Sequence, residues 1–191
     1  LVHGSATESS RVLASKVLET LDVPARAAIE KIANGEVAVV DTGLLNPGLR
    51  RLLDVRRVVG LRNAGHSVVK LMQPVDGPQV VVGSYTHPAF ATVMTELFAL
   101  LGMTALLSRG LEGEVVSDPR RTAQIDGFVR GAPCVLQAQA PGTQAEVPGL
   151  PAAIDVDTTA DYTRRVLAGA LPVPDAIASQ VRHLVHLASV A

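Results

Sequence analysis

Two kinds of hydrophobic pattern alternate along the chain. Short runs of β-branched and other apolar residues predict buried strands near residues 37–42, 79–85 and 104–110. Longer segments with an apolar residue every three or four positions predict amphipathic helices between and after these strands. Such alternation is typical of α/β folds. We therefore predict a single α/β domain over residues 1–191, with a central, mixed and mostly parallel sheet flanked by helices.

Local signals mark the ends of the predicted helices. Ser9 or Ser10 is an N-cap candidate for a first helix that ends near Leu21. PARAAIEKIA is predicted to form a second helix, which Asn34 and Gly35 end. Further helices are predicted for NPGLRRLLDVRRVVG, THPAFATVMTELFALLG, TADYTRRVLAG and PDAIASQVRHLVHLAS, and a hairpin for QIDGFVRG with PCVLQAQA. The residues of NPGLRRLLDVRRVVG predicted to face inward are Leu49, Leu52, Leu53 and Val59.

Composition narrows the class of protein. Of 191 residues, 48% are hydrophobic, which is enough for a sizeable core. No apolar run is long enough to span a bilayer, so we expect a soluble protein with no membrane partner. The single cysteine, Cys134, excludes an internal disulfide framework and fits a reducing, cytoplasmic setting. Its position in the apolar run APCVLQA predicts an inert core thiol.

Basic residues are concentrated in one short window, RRLLDVRRVVGLR, although the net charge is only −1. The arginines of this window are Arg50, Arg51, Arg56, Arg57 and Arg62. Two interpretations stay open: a solvated helix face near Asp54, or a surface for nucleic-acid phosphates. Arg50 and Arg57 are seven residues apart and share one line of the predicted helix. Aromatic residues are too scarce for the stacking platforms that bind single strands.

Three segments resemble anthranilate phosphoribosyltransferases. HGSATESSRVLASKVLETLDV is similar to that family's H-G-N-R-x-x-S-S segment, and NPGLRRLLDVRRVVGLRNAGHSVVKLMQP to its H-P-A-M helix. QVVVGSYTHPAFATVMTELFALLGMTALLSRG is similar to the strand–helix–strand that precedes its V-H-G-x-x-G-x-D-E metal motif. The resemblance covers nearly the whole chain. It implies the phosphoribosyltransferase/nucleoside phosphorylase-like fold of glycosyltransferase family 3 and a homodimer.

In that family a small helical region and a glycine-rich phosphoribosyl pyrophosphate loop precede the HG segment. The first residues, LVHG, have the pattern of a buried strand that runs into a glycine turn. We therefore expect that further sequence lies upstream.

The resemblance also assigns a substrate site. Its residues are His3, Gly4, Ser5, Ser9, Ser10, Asn46, Arg56, Arg109 and Gly110. In the family, the segment that matches His3 to Ser10 lines the phosphoribosyl pyrophosphate site, and the arginine that matches Arg56 holds the carboxylate of the aromatic substrate. The match is partial, since Ser5, Ala6 and Asn46 stand where the family has Asn, Arg and His.

The metal motif departs furthest from the family. When the glycines of SRGLEGEVVSD are aligned, Val115 and Val116 stand where the family has an Asp-Glu pair that helps to hold magnesium. Valine cannot bind a hard cation. The carboxylates left nearby are Glu112, Glu114 and Asp118, which would substitute only in a shifted loop. We therefore expect no metal and no cofactor here, with magnesium only if the protein is an active enzyme.

Two main functions follow from the resemblance. ALLSRGLEGEVVSDPRR is similar to a divergent, DNA-binding branch of the same superfamily. In this first hypothesis, the protein binds nucleic acid through Arg50, Arg51, Arg57 and Arg62. In the second, it is an enzyme that transfers a phosphoribosyl group from phosphoribosyl pyrophosphate to an aromatic or nitrogenous acceptor. A thymidine-phosphorylase-like reaction is a third alternative without support from the motifs.

Overall fold

The computed structural model describes residues 1–6, 11–111 and 114–191. Ser9, Ser10 and Glu112, which the sequence singled out, lie outside these residues. In chain order the strands are β1 (Val2–Gly4), β2 (Ala25–Arg26), β3 (Val39–Asp41), β4 (Val81–Tyr85), β5 (Ala105–Arg109), β6 (Ile125–Val129) and β7 (Ala132–Gln137). The helices are α1 (Ala14–Thr20), α2 (Thr42–Leu45), α3 (Pro47–Val59), α4 (Gly65–Val68), α5 (Pro88–Leu100), α6 (Val156–Leu167) and α7 (Asp175–Val190), with a 3₁₀ turn at Val69–Leu71.

The chain divides into two compact units. Unit 1 consists of Leu1–Val69 and Gly149–Pro172, and unit 2 of Lys70–Pro148 and Val173–Ala191. The expectation of a single domain stays a prediction. The predicted fold class is confirmed, because the strands pair in a mixed arrangement that includes three parallel pairs, and helices flank them.

Unit 1 contains a parallel sheet in the strand order β1-β3-β2. Gly4, the last residue of β1, lies opposite Asp41, the last residue of β3. Because the two strands are parallel, the residues that follow them meet at the same edge of the sheet. Two helices, α2 and α3, follow β3 at this edge, and α3 begins at Pro47 and ends before the left-handed Gly60. Both ends of α3 agree with the sequence signals.

Unit 2 contains a four-stranded sheet in the order β4-β5-β6-β7, with β4 and β5 parallel and the other pairs antiparallel. Neighbouring residues of β5 point to opposite faces. Leu107 belongs to a cluster with Phe98 of α5, whereas Leu106 packs with Leu187 of α7. The sheet is therefore covered by α5 on one face and by α7 on the other. The predicted hairpin is also confirmed, as β6 and β7.

The helix predicted for PARAAIEKIA is wrong. Ala25 and Arg26 instead form β2, and residues 27–38 have no regular secondary structure. The Arg26 guanidinium donates to the carbonyls of Glu30 and Lys31 and pairs with the carboxylate of Glu36. These contacts close a loop around one side chain, and they outweigh the helix propensity of the segment.

Three smaller expectations also fail. The first helix begins at Ala14, later than a cap at Ser9 or Ser10 would place it. Cys134 is exposed, because β7 is paired only with β6 among the described strands and leaves much of its surface uncovered. On α3, Leu53 is buried as predicted, but Leu52 and Val59 are 44% and 59% exposed. Among the described elements, α3 packs mainly on the short helices α2 and α4.

Candidate functional site

The carboxyl edge of β1 and β3 gathers several of the predicted site residues in unit 1. Ser5 follows β1 directly, and its hydroxyl donates to Asp41 Oδ2 over 3.2 Å. Asp41 ends β3, and its Oδ1 accepts from the Gly43 amide over 2.7 Å, which caps α2. Arg50 reaches this edge from the first half of α3. The carboxyl ends of parallel strands are where α/β proteins bind their ligands.

Arg50 connects this edge to α3. Its Nη1 donates to both oxygens of Asp41, over 3.0 and 2.9 Å, and to the Ser5 hydroxyl over 3.2 Å. Its Nε donates to Asp54 Oδ2, four residues along the helix, over 2.9 Å. The carboxylate of Asp54 and then that of Asp41 raise the pKa of Arg50. Arg50, which the sequence analysis predicts to bind phosphate, is therefore held by two carboxylates of its own chain.

Arg57 also contacts its own chain. Its Nη2 donates to the Ala6 carbonyl over 2.8 Å, and its Nε lies 3.3 Å from Asp54 Oδ1. Arg51 is exposed on α3 and has no hydrogen-bond or ion-pair partner in the described part of the chain. Arg56 is half-buried on the same helix, and Arg62 is exposed just beyond it. Arg50 and Arg57 are therefore held by groups of their own chain, whereas Arg51 is not held by any described residue.

His3 and Gly4 lie on β1 beside this network. The Nδ1 atom of His3 and the hydroxyl of Thr42 are both buried, and neither has a hydrogen-bond partner among the described residues. Burial lowers the pKa of His3 below its ordinary value. A Cβ added to Gly4 would meet no atom of the described residues within 4 Å.

Asn46 has a structural role that the sequence did not assign. It is the N-cap of α3, and its Oδ1 accepts from the Leu49 amide over 2.9 Å. Its assignment to a substrate site stays a prediction.

Arg109 and Gly110 belong to unit 2, where they end β5 and begin the next turn. The Gly110 amide donates to the Tyr85 carbonyl over 2.9 Å. A Cβ on Gly110 would lie 2.5 Å from the Glu114 carbonyl oxygen, so this close approach of two backbone segments requires glycine. The Arg109 carbonyl accepts from Arg121 Nη2 over 3.4 Å.

The described residues of this turn do not fit a magnesium site. Val115 and Val116 offer no side-chain ligand, and the Glu114 carboxylate accepts from the Leu111 amide. The Asp118 side chain is only 8% exposed and forms ion pairs with Arg120 and Arg121. Its hydrogen bonds with Arg120 lower the pKa of Asp118. Within residues 1–6, 11–111 and 114–191, no group of three His, Cys, Asp or Glu side chains is placed to hold a metal ion.

Gln180 of α7 fixes the segment that carries the two valines. Its Oε1 accepts from the Ser117 amide over 2.9 Å, and its Nε2 donates to the Val115 carbonyl over 2.7 Å. Gln180 is buried, as is Leu187 two helical turns further along. Both hydrogen bonds are with the backbone, so they fix the path of the segment whatever its side chains are.

Sequence reasoning missed Asp41 and Gln180. A signal exists for each of them. Asp41 is a charged residue that directly follows a buried strand, in VAVVDTG. Gln180 is a polar residue three positions after Ile177 and four before Leu184, within the apolar stripe of α7. A buried polar side chain in an apolar stripe needs a hydrogen-bond partner.

Comparison with known proteins gives distant relatives. No family model matches the chain. It is 31% identical over 186 residues to the uncharacterized protein YbiB of Escherichia coli (strain K12), covering 95% of this chain and 58% of that protein. It is 26% identical over 189 residues to the anthranilate phosphoribosyltransferase of Saccharopolyspora erythraea, covering 92% of this chain and 52% of the enzyme.

The chain therefore spans somewhat more than half the length of the curated relatives it matches. In the ranges that the structure describes, no helix has both the length and the apolar content required to cross a bilayer. The similarity to the enzyme, together with the α/β architecture, supports a phosphoribosyltransferase-like fold.

Proposed function

We propose that this chain is a nucleic-acid-binding relative of anthranilate phosphoribosyltransferase that does not retain the metal site. The observation that carries the proposal is the turn after β5. Valines occupy the two positions that the resemblance assigns to magnesium-binding carboxylates, and Asp118 is held by Arg120 and Arg121. A pyrophosphate leaving group would lack the counter-charge that the transfer reaction needs.

The clustered arginines of α3 also support the proposal. They lie within one helix and the residues that follow it, in a protein whose net charge is −1. Clustered guanidinium groups release counterions when they bind phosphates, and this release gives affinity without base recognition. DNA is the proposed ligand, and its backbone is the part that is bound.

DNA affinity measured against salt concentration tests the proposal. We expect the logarithm of the affinity to fall linearly with the logarithm of salt, and the double variant Arg51→Ala, Arg62→Ala to flatten the slope by about 0.9 for each phosphate that is no longer neutralised. Arg182→Ala, which removes an exposed arginine of α7, is the matched control and should leave the slope unchanged. A salt-independent response of the unmodified chain would contradict the proposal.

One observation favours the enzymatic alternative. His3 Nδ1 and the Thr42 hydroxyl are buried without partners among the described residues, next to the carboxyl edge of β1 and β3, and no described atom occupies the space beside Gly4. Polar groups in such a position suit a polar ligand such as phosphoribosyl pyrophosphate. The test measures release of pyrophosphate from phosphoribosyl pyrophosphate. Release that requires both the chain and an aromatic or nitrogenous acceptor would favour the enzymatic alternative over DNA binding.

A further inference from the structure

Arg50 and Arg57 share one line of α3, and from the sequence both are candidate phosphate ligands. Their side chains are instead directed at the chain's own groups. The first two residues after β1 lie along this line of the helix, because Ser5 contacts Arg50 and Ala6 contacts Arg57.

The hydrogen bonds of Arg50 use the planar shape of its guanidinium. Nη1 donates to Asp41 and Ser5, while Nε donates to Asp54 in a different direction. A lysine has one ammonium group and cannot make this arrangement, although it carries the same charge. We call Ser5, Asp41, Arg50 and Asp54 the Arg50 network. It joins the ends of β1 and β3 to α3.

The charges of this region nearly cancel. Asp54 pairs with both Arg50 and Arg57, and Asp41 pairs with Arg50, so two guanidinium groups face two carboxylates. A phosphate would have to displace a carboxylate that is already in place. Arg51, in contrast, is exposed and has no hydrogen-bond or ion-pair partner within the described ranges.

We propose that Arg50 is a positioning residue for nucleic-acid binding, and that Arg51 is a phosphate ligand. The proposal rests on the proposed function. Arg50 holds Ser5, the first residue after β1, in a fixed position against the helix that carries Arg51. Removal of Arg50 loosens this arrangement and weakens binding because the site is less preorganised, but every phosphate ligand remains.

The test measures DNA affinity against salt for the full chain and for Arg50→Ala, Arg50→Lys and Arg51→Ala, using one labelled DNA duplex. Arg51→Ala should flatten the salt slope by about 0.9. Both Arg50 variants should keep the slope and lower affinity by about the same factor at every salt concentration. The lysine variant is decisive, since lysine could bind a phosphate but cannot rebuild the Arg50 network. A slope that falls in Arg50→Ala and recovers in Arg50→Lys would overturn the proposal.

Amide hydrogen exchange provides a readout that does not depend on DNA. Exchange at His3 and Gly4 should accelerate about tenfold in both Arg50 variants, as expected when charged hydrogen bonds are removed, and stay unchanged in Arg51→Ala. Circular dichroism of each variant checks that it folds. If the unmodified chain shows no salt-dependent DNA binding, the proposed function fails. The exchange rates then still decide the structural claim, and equal rates in all variants would refute it.

Discussion

Gln180 holds Val115 by its backbone: the side-chain amide of Gln180 donates to the Val115 carbonyl over 2.7 Å. The same side chain accepts from the Ser117 amide, so one residue of α7 satisfies a donor and an acceptor of the turn that follows β5. Residues 115–117, held in this way, cannot shift without breaking both bonds. This relationship argues against a rearrangement of residues 114–118 in which Glu114 and Asp118 take the place of the family's Asp-Glu pair.

Replacing Gln180 should destabilise the protein. Gln180→Leu removes both hydrogen bonds and leaves two backbone groups without partners, at a cost of about 3 kcal/mol in the free energy of unfolding. Gln180→Glu keeps an acceptor for Ser117 but places a carboxylate against the Val115 carbonyl, so it should also destabilise. Urea unfolding measures both. Gln144→Leu, at an exposed position, is the control. Equal stability of the Gln180 and Gln144 variants would contradict the assigned role.

The turn between β6 and β7 gives a second prediction. Arg130 and Gly131 both have positive φ, 49° and 84°. A Cβ on Gly131 would lie 2.8 Å from the Ala99 carbonyl oxygen, which belongs to backbone and cannot rotate away. Gly131→Ala should therefore cost about 3 kcal/mol, from left-handed strain and from the steric clash together.

Gly77 separates these two contributions. Its φ is 87°, but a Cβ there would meet no atom of the described residues within 4 Å. Gly77→Ala should cost about 1 kcal/mol, from backbone strain alone. Denaturant unfolding of both variants compares them directly. If the two variants are destabilised equally, the clash with Ala99 has no effect.

Much of the fold could be predicted from the sequence, because local signals and packing agree. Pro47 and Gly60 mark the ends of α3, and the apolar runs mark β3, β4 and β5. The helix predicted for PARAAIEKIA is wrong because the conformation of this segment depends on the ion pair between Arg26 and Glu36. These residues are ten positions apart, and local helix propensity does not account for such a pair.

The candidate site was predicted less well than the fold. Arg50 was singled out for its charge, but its pairing with Asp41 depends on β3 and α3 meeting in space. Cys134 has apolar neighbours in sequence, but it is exposed because its strand is paired on only one side among the described strands. In both cases the deciding interaction is tertiary, and the pattern of residues along the chain does not encode it.

Substitutions of Asn46 separate its role as a helix cap from its predicted role in a substrate site. Asn46 is the N-cap of α3. Asn46→Ala should lower the free energy of unfolding by about 1 kcal/mol, whereas Asn46→Ser should change it little because serine also caps helices. Thermal unfolding measures both variants. If Asn46 also binds a substrate, Asn46→Ser should keep stability but bind the ligand more weakly. Full stability of Asn46→Ala would refute the capping role.

The last prediction concerns the dependence of stability on pH. Burial lowers the pKa of His3 below its ordinary value of 6.5. As pH falls through 6.5, the unfolded chain takes up a proton at this residue before the folded protein does. The unfolded state then binds more protons, so the free energy of unfolding decreases with falling pH. The contribution of His3 is fully present above 6.5 and is lost as pH falls toward the lower pKa of the folded state.

His3→Asn, which does not titrate, should reduce this loss of stability. Burial also lowers the pKa of His183, so part of the pH dependence should remain in the variant. His186→Asn, at an exposed position of α7, should leave the contribution of His3 in place. Urea unfolding between about pH 5 and 8 measures the effect, and an NMR titration of the His3 ring locates its pKa. A His3 pKa at or above 6.5 would mean that the imidazole is solvated or has a partner that stabilises its charged form. That result would contradict the structure, in which Nδ1 of His3 is buried and has no partner among the described residues.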